Sequence, residues 1–240
     1  MSSGSPTPDL PGPEAMRGRW ALCAALTAAQ GWPDHCHARP GSSAAPGATW
    51  HYDDGGGNWA ALRIAAPRIA GLRIADASAS VSSEISRAVL VGYDHEYSET
   101  YFGAAAEYFG EPETDLLRGL PAWTGDVVAD YIADIQRSGM WLGFVYVFDK
   151  GRWSRAAYSA PDGFAMLNLP PVSAQATTEH LAEFLNGIAG DQGVAAGVDA
   201  TAVAAAVAAG PAVTSEQLRA MFGARQVDIE AGVAAARLFA

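Results

Sequence analysis

Tight turns dominate the middle of this chain. Asp53-Asp54-Gly55-Gly56-Gly57-Asn58, Lys150-Gly151 and Pro161-Asp162-Gly163 all contain glycine, which takes the left-handed backbone region without steric cost. The segments they join are strand-like. Residues 49–53 and 58–65 flank the first turn, residues 143–149 and 152–159 flank the second, and residues 164–169 follow the third. Two-residue and glycine-rich connections of this kind join antiparallel neighbours, because a parallel return needs a crossover of a dozen residues or more. The sequence therefore predicts hairpins and a meander. Residues 88–92 (AVLVG) add a continuous apolar run that reads as a buried central strand.

Helical patterns surround these strands. Residues 14–30 carry Leu22, Ala25, Leu26 and Ala29 at helical spacing, with Gly31 and Pro33 as stops. Val127, Val128, Tyr131, Ile132 and Ile135 make a stripe on a helix through residue 136, with Thr124 as its expected cap. Residues 97–109 lean to helix through their alanines. Residues 178–188, 200–209, 215–222 and 228–238 read as further helices, with Thr214 or Ser215 as a cap. Residues 33–48, rich in Pro, Gly and Ser, read as a loop. Arg-Ile-Ala at 63–65, 68–70 and 73–75 fits neither helical nor strand period and is read as strand pieces broken at Pro67.

The expected fold is α+β: a mainly antiparallel sheet with flanking helices and a helical C-terminal portion. Residues 1–13, a Ser/Pro/Gly stretch, form a disordered tail. Residues 14–170 form the α+β domain. Residues 171–240 form the helical portion, packed on the first, beginning at Pro170-Pro171 and including a glycine-rich linker at 189–200. A chain of 240 residues, half of them apolar, is large enough for a sizeable core.

Charge is the strongest functional signal. Twelve of the 26 acidic residues lie between Asp76 and Asp134, against only Arg87 and Arg118. That segment's charge is −10 (twelve acids less two bases), out of −11 for the whole chain. Such a balance argues against nucleic-acid binding, which needs cations to displace counterions, and against an anionic membrane surface. No run reaches the roughly 18 apolar residues of a spanning helix. Met16-Arg17-Gly18-Arg19 and the apolar residues after it have the outline of a secretory signal, but the proline-rich residues before them do not. Cys23 and Cys36 are too few for a disulfide framework, so a cytoplasmic location is the expectation.

Aromatics interleave with these acids. Together they suit a surface that docks a basic protein, with rings supplying contact area and carboxylates supplying steering and register. The expected contact residues are Asp94, Glu96, Tyr97, Glu99, Tyr101, Glu107, Tyr108, Glu111, Glu113 and Asp115. Two other readings compete. Asp94, His95, Glu96 and Glu99 follow a buried strand, where a metal-assisted hydrolase could hold its site. The C-terminal helices offer apolar stripes through Val203, Val207, Leu218, Met221, Phe222, Ile229, Val233 and Leu238, which suit an assembly role. No cofactor or resident metal is expected. His35-Cys36-His37, with Cys23 and His51, lacks the ligand spacing of structural zinc sites, and no nucleophile elbow occurs. The acids beside Gly55, Gly56 and Gly57 would repel a phosphate.

The ten residues from Trp50 to Trp59 (WHYDDGGGNW) resemble the Asp-Gly-Gly-Gly-Asn/Asp turn of the SUKH superfamily. These are α+β proteins, many of them immunity proteins that neutralise bacterial toxins. The resemblance implies a binding protein without catalytic residues, and its partner would be a basic toxin.

Overall fold

The computed structural model describes residues 9–40, 47–65, 85–138, 140–167, 177–179, 181–183, 185 and 199–240. The protein is α+β. Six strands form one open antiparallel sheet in sequence order: β1 (Cys36–Pro40), β2 (Gly47–Asp53), β3 (Trp59–Ala65), β4 (Arg87–Tyr93), β5 (Phe144–Asp149) and β6 (Arg152–Arg155). The helices are α1 (Pro13–Ala29), α2 (Ala104–Phe109), α3 (Trp123–Ser138), α4 (Ala200–Ala209), α5 (Ser215–Phe222) and α6 (Ile229–Arg237). Residues 177–179, 181–183 and 185 are helical as well. No helix among the described residues is long and apolar enough to cross a membrane.

The chain divides into two compact units, each assembled from separated stretches. One comprises Met1–Glu14, Pro40–Thr49 and Leu62–Phe164. The other comprises Ala15–Arg39, Trp50–Ala61 and Ala165–Ala240.

In the first unit, β4 pairs with β5 from Arg87 opposite Asp149 to Gly92 opposite Phe144, and β5 pairs with β6. Residues 88–92 are buried without alternation, as a strand covered on both faces should be. The β5–β6 turn is tight because Lys150 (φ 53°) and Gly151 (φ 78°) both take positive φ, the primed-turn geometry that matches strand twist. Pro11 accepts a hydrogen bond from the Trp153 indole N–H at 2.8 Å, which fixes the chain just ahead of α1.

In the second unit α1 is central. Its residues Ala21, Leu22, Ala24, Ala25 and Leu26 are all buried, a wider face than the four-residue stripe read from spacing. Small residues explain this, because they let neighbouring elements approach on several sides. The backbone of Gly210 runs so close to Gly18 that a Cβ on Gly210 would lie 2.7 Å from the Gly18 Cα. A Cβ on Gly232 of α6 would lie 2.7 Å from the Ala25 carbonyl oxygen. Trp50 of β2 packs between Trp20 and Phe239, at ring separations of 6.1 and 5.6 Å. Thr214, one of the two expected caps, forms a capping box with Gln217, and Asp199 and Asp228, for which no cap was expected, accept from the Thr201 and Ala231 N–H groups.

Four local expectations need correction. Residues 36–40 form a strand, not loop, and the His35 carbonyl accepts from the Asp53 N–H at 2.7 Å. The predicted strand at 164–169 is a 3₁₀ turn over Phe164–Met166, because Asp162 Oδ1 takes the Phe164 N–H and turns the chain. Thr124 does not cap α3: it lies within the first turn, and its buried hydroxyl has no hydrogen-bond partner among the described residues. Helix in 97–109 is confined to Ala104–Phe109. The Pro170-Pro171 boundary, the linker at 189–198 and most of the Arg-Ile-Ala repeat lie outside the described residues, as do the side chains of Ile132 and Ile135.

Candidate docking surface

All ten predicted contact residues lie in the first unit, in the chain between β4 and α3. Asp94 differs from the rest. It is buried, and its Oδ1 accepts the backbone N–H groups of Glu96 (3.0 Å) and Tyr97 (2.8 Å). Asp94 thus builds the loop and presents no carboxylate outward. Opposite it sits Gly163, at φ 74°, where a Cβ would come within 2.5 Å of the Asp94 Cβ.

A second aspartate completes this seam, and sequence reasoning assigned it only a turn. Asp162 Oδ2 accepts from the Tyr146 hydroxyl (2.9 Å), the Tyr158 hydroxyl (2.9 Å) and Arg155 Nη1 (3.4 Å), while Oδ1 takes the Phe164 N–H (3.2 Å). The Arg155 guanidinium also stacks 4.2 Å from the centre of the Tyr158 ring. Burial and then the neighbouring Asp162 charge raise the Tyr146 and Tyr158 phenols above the ordinary tyrosine value. The signal that finds Asp162 is an aspartate in a Pro-Asp-Gly turn, close in sequence to Tyr158 and Arg155.

From this seam the loop runs outward. Glu99 N donates to the Pro161 carbonyl, and Ser98 bridges Asp162. The Thr100 hydroxyl donates to the Gly143 carbonyl and contacts the Ser98 hydroxyl at 3.0 Å. Gly143 is required there, since a Cβ would lie 2.6 Å from Ser98 Oγ. Tyr101 and Thr114 then exchange hydrogen bonds, and Glu113 accepts the Gly103 N–H at 3.1 Å.

On this support stands an aromatic cluster. Tyr108 contacts Phe109 and Trp141 at ring separations of 5.0 and 5.2 Å, Phe109 contacts Trp141 at 5.8 Å, and Tyr101 contacts Phe109 at 5.5 Å. Tyr108 is 72% exposed and Phe109 45%, so rings that face one another also face solvent. Trp141 belongs to this cluster, although its place before a strand reads as an ordinary core anchor. Tyr97 is also about half exposed.

The acids around the cluster are exposed and fall into two groups. Glu96 lies 3.8 Å from His95, Glu113 holds Gly103, and Asp115 pairs with Arg118 at 3.3 Å. Glu99, Glu107 and Glu111 make no side-chain hydrogen bond or ion pair among the described residues.

The alternative site set does not converge. Asp94 is committed to backbone, while His95, Glu96 and Glu99 are exposed. Near β1 and β2, the His37 and His51 rings lie 5.0 Å apart, whereas His35 stacks on Trp32 at 5.8 Å. Burial first, then the neighbouring charge of His37, pushes the His51 imidazole down to about 4. Among the described residues no group of three His, Cys, Asp or Glu side chains is placed to hold a metal ion. In the Asp53–Asn58 turn, Asp53 and Asp54 accept the Gly55 and Gly56 N–H groups at 2.7 Å, so the turn's donors go to its own carboxylates.

Comparison with known proteins returns no match: no protein-family model, no curated protein and no solved structure corresponds to the chain.

Proposed function

We propose that this protein binds a basic protein partner through the acidic-aromatic surface of residues 96–115. The observation that carries this reading is the solvent-facing Tyr108–Phe109–Trp141 cluster beside Glu99, Glu107 and Glu111, three carboxylates without a side-chain partner among the described residues. Exposed aromatics of this size fit the centre of an interface, and unpaired carboxylates fit its steering rim. A narrower form of the proposal, a cytoplasmic immunity protein that neutralises a basic toxin, rests on the SUKH-like turn. The hydrolase reading draws less support, because Asp94 serves the loop. The assembly reading also draws less, because Val203, Leu218, Met221, Phe222 and Val233 are buried within their own unit.

The test is affinity capture from the host lysate, followed by measured binding of the recovered partner. A basic partner whose association slows with salt, and slows at least about tenfold on combined Glu99→Lys, Glu107→Lys and Glu111→Lys, supports the reading. Undiminished capture by that triple variant refutes it.

A further inference from the structure

The chain's two cysteines, 13 positions apart, meet in the fold. Cys23 lies on α1 and Cys36 opens β1. Cys23 is among the groups that act on the Cys36 thiol, so the two side chains are neighbours. The Cys36 thiol also contacts the Trp20 carbonyl oxygen at 3.5 Å, and Trp20 lies three residues before Cys23, on the same helix face. The connection between them is already ordered. Trp32 N donates to the Thr27 carbonyl at 2.9 Å, and His35 N donates to the Trp32 carbonyl at 3.2 Å. Cys36 is fully buried, whereas Cys23 is partly open to solvent.

We propose that Cys23 and Cys36 are a reversible oxidation site, in which a low-molecular-weight disulfide converts the thiol pair into a disulfide that staples α1 to β1. Closing the bond requires the sulfurs to approach to about 2.05 Å. No other cysteine in the chain competes for either partner.

The exchange has two steps. Partly exposed Cys23 attacks first: its thiolate bonds to one sulfur of the small disulfide, whose S–S bond breaks and releases one small thiolate. The Cys36 thiolate then attacks the Cys23 sulfur and displaces the second small thiolate. The protein pair loses two electrons and two protons, and the small disulfide gains both to become two thiols. Burial, and then Cys23 itself, raise the Cys36 thiol well above its ordinary value. The second step therefore quickens as pH rises.

The experiment treats the full chain with oxidised glutathione, quenches with a maleimide under denaturing conditions, and reads intact mass and peptides. The expected product takes up no maleimide, has lost two hydrogens, yields a linked peptide pair containing Cys23 and Cys36, and returns to two free thiols with dithiothreitol. Its unfolding midpoint should rise by roughly 5 °C, since a short loop is closed in the unfolded chain. Cys36→Ser should stop at a glutathione adduct on Cys23. Cys23→Ser should leave Cys36 unmodified while the protein is folded, which covers the case in which the buried serine unfolds the chain. Wild-type protein that stops at the Cys23 adduct, links two chains, or keeps both thiols free would overturn the proposal.

Discussion

The seam at Asp94 and Asp162 and the rim at Glu99–Glu111 share a composition, acids beside aromatics, and use it in opposite ways. In the seam, two aspartates accept six hydrogen bonds from three backbone N–H groups, two tyrosines and an arginine. Phe164 packs there on Phe144 and Tyr146 at 5.2 and 4.8 Å. On the rim, three glutamates accept none and Tyr108 faces water. Side-chain length accounts for much of the contrast. Aspartate is short enough to take the N–H two or three residues onward, as Asp53, Asp54, Asp94, Asp162, Asp199 and Asp228 all do. Glutamate bonds so locally less readily, and Glu113 finds its partner ten residues back. An acidic stretch is therefore two populations, and among the described residues it is Glu99, Glu107 and Glu111 that make no side-chain hydrogen bond or ion pair.

The sharpest way to break this contrast is Asp162→Ala. It strips two tyrosines, an arginine and a backbone N–H of one acceptor group in a largely buried setting. A loss of about 3 kcal/mol is expected by chemical denaturation. A loss below 1 kcal/mol would mean that the seam does not hold the loop, and the distinction between seam and rim would lapse.

Two glycines with positive φ sharpen the comparison. Gly163 in the seam has φ 74°, and Gly103 beside the rim has φ 57°. Alanine is strained at both, by about 1 kcal/mol. Only Gly163 is crowded as well, against the Asp94 side chain, whereas nothing lies within 4 Å of a Cβ on Gly103. Gly163→Ala should therefore cost about 2 kcal/mol or more and Gly103→Ala about 1 kcal/mol. Equal losses would show that crowding at Asp94 relaxes freely.

Alkali probes the seam without mutation. The phenols of Tyr146 and Tyr158 are raised in the folded protein, so there they keep their protons where an unfolded tyrosine gives its up. Their stabilising contribution is complete below about pH 10 and declines above it, by about 1.4 kcal/mol per pH unit for each tyrosine. Unfolding free energy followed from pH 9 to 11.5 should fall at least that steeply, because burial raises the Tyr52 and Tyr93 phenols as well. Tyr146→Phe should fall less steeply, whatever its starting stability. A variant slope equal to wild type would remove Tyr146 from the account.

Much of the fold is legible in the sequence because its signals are local. The Lys150-Gly151 turn, the apolar run at 88–92 and the Thr214–Gln217 capping box each depend on neighbouring residues, and each appears where expected. What failed depends on distant partners. Cys36-His-Ala-Arg-Pro40 carries no strand pattern and becomes one beside β2. Phe164 looks like the start of a strand until Asp162 takes its N–H. The acidic-aromatic character of residues 96–115 was legible as composition. Asp94's burial and Trp141's place in the cluster were not, because both arise from contacts across the fold rather than along it.

The smallest expected effect on folding falls on the rim, and it separates a surface kept for contact from one kept for structure. Glu107→Lys and Glu111→Lys remove no side-chain hydrogen bond made among the described residues, so each should leave stability within about 0.5 kcal/mol of wild type. They also reduce local repulsion among like charges, which pushes the change toward stabilisation. Tyr108→Ala loses ring contact with Phe109 and Trp141 but little buried area, and a loss of about 1 kcal/mol or less is expected. All three should weaken capture of a basic partner far more than they change the unfolding midpoint. If either lysine variant instead loses more than 1 kcal/mol, its glutamate supports the loop as Asp94 does. The rim would then be a second seam.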